Sequence, residues 1–174
     1  DRETYDKTGY IYLTAFSKTS AEQFKDAIKE LENQKIEKLV IDLRYNTGGY
    51  LNSAYDISEL FLPKGDVVYQ LKTKTKITKY KAKKRNKIDY PISIIINSKS
   101  ASASEILTLA LKQNLNNVTV VGEKSYGKGT VQQASDLENG SMVKYTTANW
   151  LSPIGESINK EGIMPDYTII LDEK

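Results

Sequence analysis

Two residue types are missing altogether: the chain contains no cysteine and no histidine. Without cysteine there is no disulfide scaffold, no thiolate nucleophile and no thiolate zinc site. Without histidine there is no Ser-His-Asp arrangement and no imidazole metal centre. If the chain hydrolyses anything, its base has to be lysine, a carboxylate or an activated water. Long apolar runs are also missing. Nothing approaches the roughly 18 residues of a membrane span, and Asp1 to Thr4 lead into no apolar segment of the signal-peptide kind. One stretch is strongly basic. Lys72 to Lys87 carries nine positive charges and no acid, so a net charge of +3 leaves the rest of the chain six negative.

What is present is ordinary for a folded globular protein, with 39% hydrophobic and 27% charged residues. A chain of 174 residues supports one domain with a sizeable core. Gly9 to Thr14 reads as a strand. The helix after it starts at a capping box, Thr19-Ser20-Ala21-Glu22, and places Phe24, Ala27, Ile28 and Leu31 on one face. Leu39 to Leu43 is apolar almost throughout, as in a strand covered on both faces. A sharp loop, Arg44 to Gly49, leads to a helix predicted over Leu51 to Phe61, stopped by Pro63 and Gly65. Val67 to Tyr80 reads as one strand or an irregular hairpin carrying the basic charges. Ile92 to Ile96 is a buried strand. Ser104 to Leu111 is a helix apolar nearly all round, hence buried. Val118 to Val121 is a strand and Gly122 to Gly129 a glycine-rich loop. Thr130 to Leu137 and Met142 to Trp150 form a hairpin about Asn139-Gly140, and Tyr167 to Leu171 is a last strand. The repeated strand-helix order predicts an α/β fold with a mixed, mainly parallel sheet, flanking helices and a late β-hairpin.

Chemistry concentrates between Ser100 and Gln132. Ser100, Ser102 and Ser104 alternate with alanine at a strand-to-helix junction. Such serines serve as helix caps, but a hydroxyl there also lies beside unpaired backbone N–H groups able to stabilise an oxyanion. Lys128 lies between two glycines. It does not belong to a phosphate loop, because Gly129 follows it where Ser or Thr is required, and a strand comes next in place of a helix. A lysine that works as a base has to be neutral part of the time, which burial promotes. Close packing of flanking glycines excludes water, and Gln132 offers a neutral amide that can hold an amine without favouring its charged form.

Ser100-Ala101-Ser102-Ala103-Ser104-Glu105, with Gly127-Lys128-Gly129-Thr130-Val131-Gln132, resembles the signature of the carboxyl-terminal processing, or tail-specific, serine proteases. Asp42 to Gly49 and Gly162 to Asp166 resemble two further motifs of that family, in the family order. The resemblance implies a crotonase/Clp-protease-like core and a serine endopeptidase with a Ser-Lys dyad. It selects Ser102 as nucleophile, Lys128 as base and Gln132 as the assisting residue. It assigns the oxyanion hole to the backbone N–H groups of Gly49 and Ala103, with Gly48 as the substitute for Gly49. It implies protein or peptide substrates cleaved near their carboxyl ends through an acyl-enzyme, no metal or organic cofactor, and an exported protein, periplasmic, extracellular or membrane-anchored in a bacterium.

Two departures from the family pattern stand out. Residues 1–174 leave room for the catalytic core and none for the PDZ domain usual in relatives, and Lys112-Gln113-Asn114 supplies no acid late in the helix after the nucleophile. Asn46 and Arg44 are expected to be structural, with Arg44 paired to Asp42 or Glu123. Thr130 and Glu105 are supporting residues near the site. The basic stretch has no nucleic-acid signature, and peripheral contact with an anionic membrane is the partner reading it favours. The competing reading of the whole chain is a non-catalytic polypeptide- or ligand-binding module on the same fold.

Overall fold

The structure is a computed structural model that describes residues 2–84, 88–137 and 140–170. Its backbone of support is a six-stranded sheet in the order β1-β2-β3-β6-β7-β10, from Arg2–Tyr5 (β1), Thr8–Tyr12 (β2), Lys38–Asp42 (β3), Ile92–Ile96 (β6), Val118–Gly122 (β7) and Tyr167–Thr168 (β10). Only β1 runs antiparallel to its neighbour. The central strands bury one face fully, with Leu39, Ile41, Ile92, Ile94 and Ile96 all at most 1% exposed, and cover the other in part, leaving Val40 and Ile95 half-buried. At about 25 cal/mol per Å² of apolar surface removed from water, each such side chain contributes roughly 1.5–3 kcal/mol.

A second, antiparallel sheet has the order β5-β4-β9-β8, built from Val67–Lys72 (β4), Ile77–Lys81 (β5), Thr130–Asp136 (β8) and Met142–Leu151 (β9). The uncertain stretch 67–80 is thus a hairpin, and β4 pairs with β9 to join it to the late hairpin. The helix Ala103–Asn114 (α3) packs against β4 of one sheet and β7 of the other, and also against the helix Leu51–Ser58 (α2). Being covered on three sides is why Ala103 to Leu111 are buried without a break. The helix Ser20–Asn33 (α1) turns Phe24, Ala27, Ile28 and Leu31 inward, as its periodicity predicts.

Three local expectations differ from the structure. Thr19 precedes α1 but its side chain does not cap it; the Ser17 hydroxyl accepts from Thr19 N–H (3.3 Å), and Ser20 Oγ donates to Ser17 O (3.0 Å). Helix α2 ends at Ser58, not Phe61. Leu60 and Phe61 tighten to i−3 bonds, because the residue before Pro63 is driven out of the helical region. Strand β1 carries no alternation to announce it. Asn139, Leu171, Arg85 and Lys87, each part of an expectation above, lie outside the described residues.

Candidate active site

The site is built where the parallel strands end. After β3 the chain is bent by Asp42, whose fully buried carboxylate accepts from Arg44 Nε (3.0 Å), Nη2 (2.6 Å) and backbone N–H (3.0 Å) and from the Tyr10 hydroxyl (2.6 Å). Burial pushes the Asp42 carboxyl up, but the hydrogen bonds from Arg44 and Tyr10 outweigh it and hold it below the ordinary carboxylate range. The same contact raises Tyr10 to about 12, through burial first and the bond to Asp42 second. Arg44 therefore pairs with Asp42, leaving Glu123 aside, and its role is to shape the loop.

Asn46, also fully buried, clamps that loop from inside. Its Nδ2 donates to Leu13 O (2.7 Å), its Oδ1 accepts from Gly48 N–H (2.9 Å), and its carbonyl accepts from Ala101 N–H (3.1 Å) and the Ser104 hydroxyl (2.8 Å). These bonds press the two-glycine turn against the serine junction. A Cβ on Gly48 would lie 2.7 Å from Ala101 O and 2.9 Å from Ser102 Cβ. Gly48 and Gly49 have φ of +101° and +143°, so both the space and the backbone require glycine.

The three serines separate by orientation. Ser100 Oγ donates to Leu43 O (2.8 Å) and Ser104 Oγ to Asn46 O, and both residues are fully buried. Of the three, only Ser102 lines the cleft described below, where its side chain also faces the Glu105 backbone in a capping box. It stands at the N-terminus of α3 with φ +57° and ψ −113°, in a region that non-glycine residues rarely enter and that is associated with strained strand-to-helix nucleophile turns. Gly48 N–H is occupied by Asn46, whereas among the described residues no hydrogen bond uses the N–H of Gly49 or of Ala103. The N–H groups of Gly49 and Ala103 are thus without a partner in the cleft that Ser102 lines, whereas that of Gly48 is engaged by Asn46.

Glu105 joins the serine to the lysine. Only 1% exposed, it accepts from Ser102 N–H (2.8 Å) and Lys128 N–H (3.0 Å) on one oxygen, and from the Ser125 hydroxyl (2.6 Å) and Gly127 N–H (2.7 Å) on the other. Its place three residues after the first serine of a helix is the capping-box position, the one sequence signal for this role. The lysine loop is held from its far side as well. Trp150 Nε1 donates to Lys128 O (2.7 Å), Gly129 N–H to Asn159 Oδ1 (3.1 Å), and Ile163 N–H to the Ser125 hydroxyl (2.7 Å). The last bond brings the Gly162-Ile163-Met164-Pro165-Asp166 segment against the site. Asp166 fixes its end by pairing with Lys112 (2.6 Å) and accepting from Val120 N–H (2.8 Å), and these two contacts hold its carboxyl below the ordinary range. Ser125, Trp150 and Asn159 carry no sequence signal, because their partners are remote in the chain.

One cleft of about 540 Å³ is lined by Ser102, Lys128, Gln132, Gly49 and Ala103 together, with Gly48, Thr47 and Thr130 beside them. Lys128 is half-buried and Gln132 exposed. No hydrogen bond joins the Lys128 amine to the Ser102 hydroxyl or to Gln132 among the described residues. Gln132 follows a register shift in the β8–β9 pairing, between Val131 and Gln132, where β9 carries an extra residue. Phe16, Tyr50, Leu51, Ile106 and Trp150 give the cleft an apolar wall, suited to a peptide and not to a small ion.

A serine at positive φ before a helix, two backbone N–H groups with no partner among the described residues and a lysine share one cleft on this α/β scaffold, and these are groups a serine-type peptidase requires. The description "Peptidase family S41" matches residues 7–169, and the chain belongs to that family. It is 44% identical over 162 residues to carboxy-terminal processing protease CtpB of Bacillus subtilis strain 168, covering 92% of this chain and 34% of that protein. It is 41% identical over 158 residues to CtpA of the same organism, covering 90% and 34%. Among solved structures, the photosystem II D1 C-terminal processing protease superposes with a TM-score of 0.84 at 32% identity, covering 94% of this chain and 42% of that one. The chain thus spans about a third of the length of the curated relatives it matches.

Proposed function

We propose that the chain is the catalytic core of a serine endopeptidase that cleaves protein substrates near their carboxyl ends. Ser102 Oγ attacks the scissile carbonyl carbon while its proton passes to the Lys128 amine. The N–H groups of Gly49 and Ala103 hold the resulting oxyanion, a contribution of about 10²–10³ in rate per donor in comparable sites. The C–N bond breaks as Lys128 returns the proton to the leaving amine, and water then hydrolyses the ester on Ser102 by the same route reversed. Gln132 orients Lys128 when substrate fills the cleft. Every proton and charge in this scheme is handled by the chain's own groups. The observation that carries the reading is that Ser102, alone of three serines, faces the cleft shared with Lys128 and lies beside two unused N–H donors.

The test is incubation with an unstructured polypeptide, comparing the parent chain with Ser102→Ala and Lys128→Ala. Cleavage by the parent and none by either variant is expected, with a trapped acyl-enzyme seen as an added mass on the peptide containing Ser102. Cleavage that survives both changes removes the dyad. A chain that binds the polypeptide yet forms no acyl-enzyme is the binding module instead. For location, this reading carries export, with the exposed lysines of the β4–β5 hairpin meeting an anionic membrane surface. No helix among the described residues is long and apolar enough to cross a membrane.

A further inference from the structure

A second cleft, of about 460 Å³, opens beside the first and shares Thr47, Lys128 and Thr130 with it. Its other walls include Lys99 and Lys160, together with exposed Tyr126 and with Asn159. The first cleft holds one more lysine, Lys144. Four lysines therefore line the continuous groove, while the chain's 22 Asp and Glu residues contribute no described residue to either wall. This is the reverse of the surrounding body, which outside the basic stretch is net acidic. Among the described residues no carboxylate forms an ion pair with Lys99, Lys144 or Lys160. Glu105, which accepts from the Lys128 N–H, lies beneath the loop with both oxygens occupied by the four donors described above.

The two outer lysines are held by their backbones. Lys160 has φ +68° and its N–H donates to Gly127 O (2.8 Å), so its position is fixed to the catalytic loop. Lys99 N–H donates to Asn97 Oδ1 (3.1 Å), at the end of β6. Two lysines on preset backbone, with no ion pair among the described residues, thus line a cleft that shares three residues with the cleft of Ser102, a setting that favours an anion on a bound chain.

We infer that the second cleft is a carboxylate-reading subsite, in which Lys99 and Lys160 select substrates bearing a carboxylate close to the scissile bond. This rests on the peptidase reading of the neighbouring cleft, since it is a peptide that extends from one into the other. A peptide offers that chemistry from two sources, an Asp or Glu side chain and its terminal α-carboxylate. Two exposed pairs support a preference of roughly 3- to 10-fold, weakened by salt.

The experiment measures binding to the Ser102→Ala chain by fluorescence anisotropy, so that it does not depend on turnover. Three peptides share one neutral core sequence: one amidated, one with a free carboxyl end, and one amidated with a single Glu in the core. A 3- to 10-fold tighter binding of a carboxylate-bearing peptide at about 50 mM salt is expected, and the peptide that shows it identifies the source. In a Lys99→Gln/Lys160→Asn background, where Asn tolerates the positive φ, that advantage is expected to vanish while the neutral peptide binds as before. Equal binding of all three peptides, or an advantage that persists in the double variant, overturns the subsite. Failure of the peptidase reading looks different: the parent chain cleaves none of the peptides, yet the charge preference and its dependence on the two lysines remain.

Discussion

Replacing Glu105 with Gln isolates the contact that holds the serine and the lysine in one frame. The substitution keeps the shape of the side chain and one acceptor oxygen, but it places an NH2 group against two of the four donors. The cheaper orientation turns the NH2 toward Ser125 and Gly127, because the hydroxyl can rotate; even then the Gly127 N–H is left facing a donor. Hydrogen bonds to a charged group contribute about 1.5–3 kcal/mol each, so losing the Gly127 bond and reversing the Ser125 bond costs about 3–6 kcal/mol. A domain of this size loses about 2–4 °C in Tm per kcal/mol, which puts the expected fall at roughly 6–24 °C. The retained oxygen still accepts from Ser102 and Lys128, but the lost bond to Gly127, the residue before Lys128, loosens the lysine loop and with it the spacing of Ser102 and Lys128. A displacement of about 1 Å at a reacting centre is expected to lower kcat about 10²-fold, with KM changed little. Circular-dichroism melts measure the first effect. Peptide cleavage at a temperature well below both transitions measures the second. A Glu105→Gln chain with the parent's Tm and kcat would refute the bridging role outright.

Other substitutions test separate parts of the structure. Gly49→Ala, at φ +143° and with its Cβ driven into the Phe16 carbonyl, is expected to abolish cleavage and lower Tm, whereas Gly65→Ala, at φ +104° but in open space, is expected to lower Tm through backbone strain alone and to leave cleavage unchanged. Asp42 sits below its ordinary range, so it stabilises the fold above the unfolded carboxyl value of about 4, and this stabilisation is lost as pH falls through the folded value. Urea titrations from pH 6 to 2 are expected to show a weaker acid dependence in Asp42→Asn. Tyr10 works in the opposite sense: its stabilisation is complete below about pH 10 and disappears as pH rises through about 12, and Tyr10→Phe is expected to remove that alkaline dependence. Lys112→Met breaks the contact to Asp166, a partly exposed pair, and is expected to cost at most about 1 kcal/mol, read as a small Tm shift.

The strands most legible in the sequence were the most apolar ones, since Leu39 to Leu43 and Ile92 to Ile96 are each interrupted by one polar residue only, Asp42 and Ser93. Helix α3 was legible for the same reason. What the local pattern does not encode is partnership across the chain. Nothing in Val67 to Lys72 announces that β4 pairs with β9, some eighty residues later, so the second sheet was invisible as a sheet. At the site, residue types and spacing pointed to a serine and a lysine, but spacing alone left three serines equal. They differ only because Ser100 and Ser104 find carbonyl acceptors on the loop from Leu43 to Asn46, which is a tertiary fact. Glu105 was visible as a first-turn acid. That it receives Ser125, Gly127 and Lys128, some 20 to 23 residues ahead, was not.

The grip of residues 158–166 on the lysine loop also sets an order in time. During synthesis Ser102 and Lys128 are both made before Asn159, Gly162 and Ile163, whose contacts with Gly127, Gly129 and Ser125 fix where the amine stands. Under the proposed scheme a nascent chain carries both the serine and the lysine while the lysine loop is still unplaced. Cleavage is then expected only from chains long enough to include residues 158–166, which a series of carboxyl-terminal truncations would check.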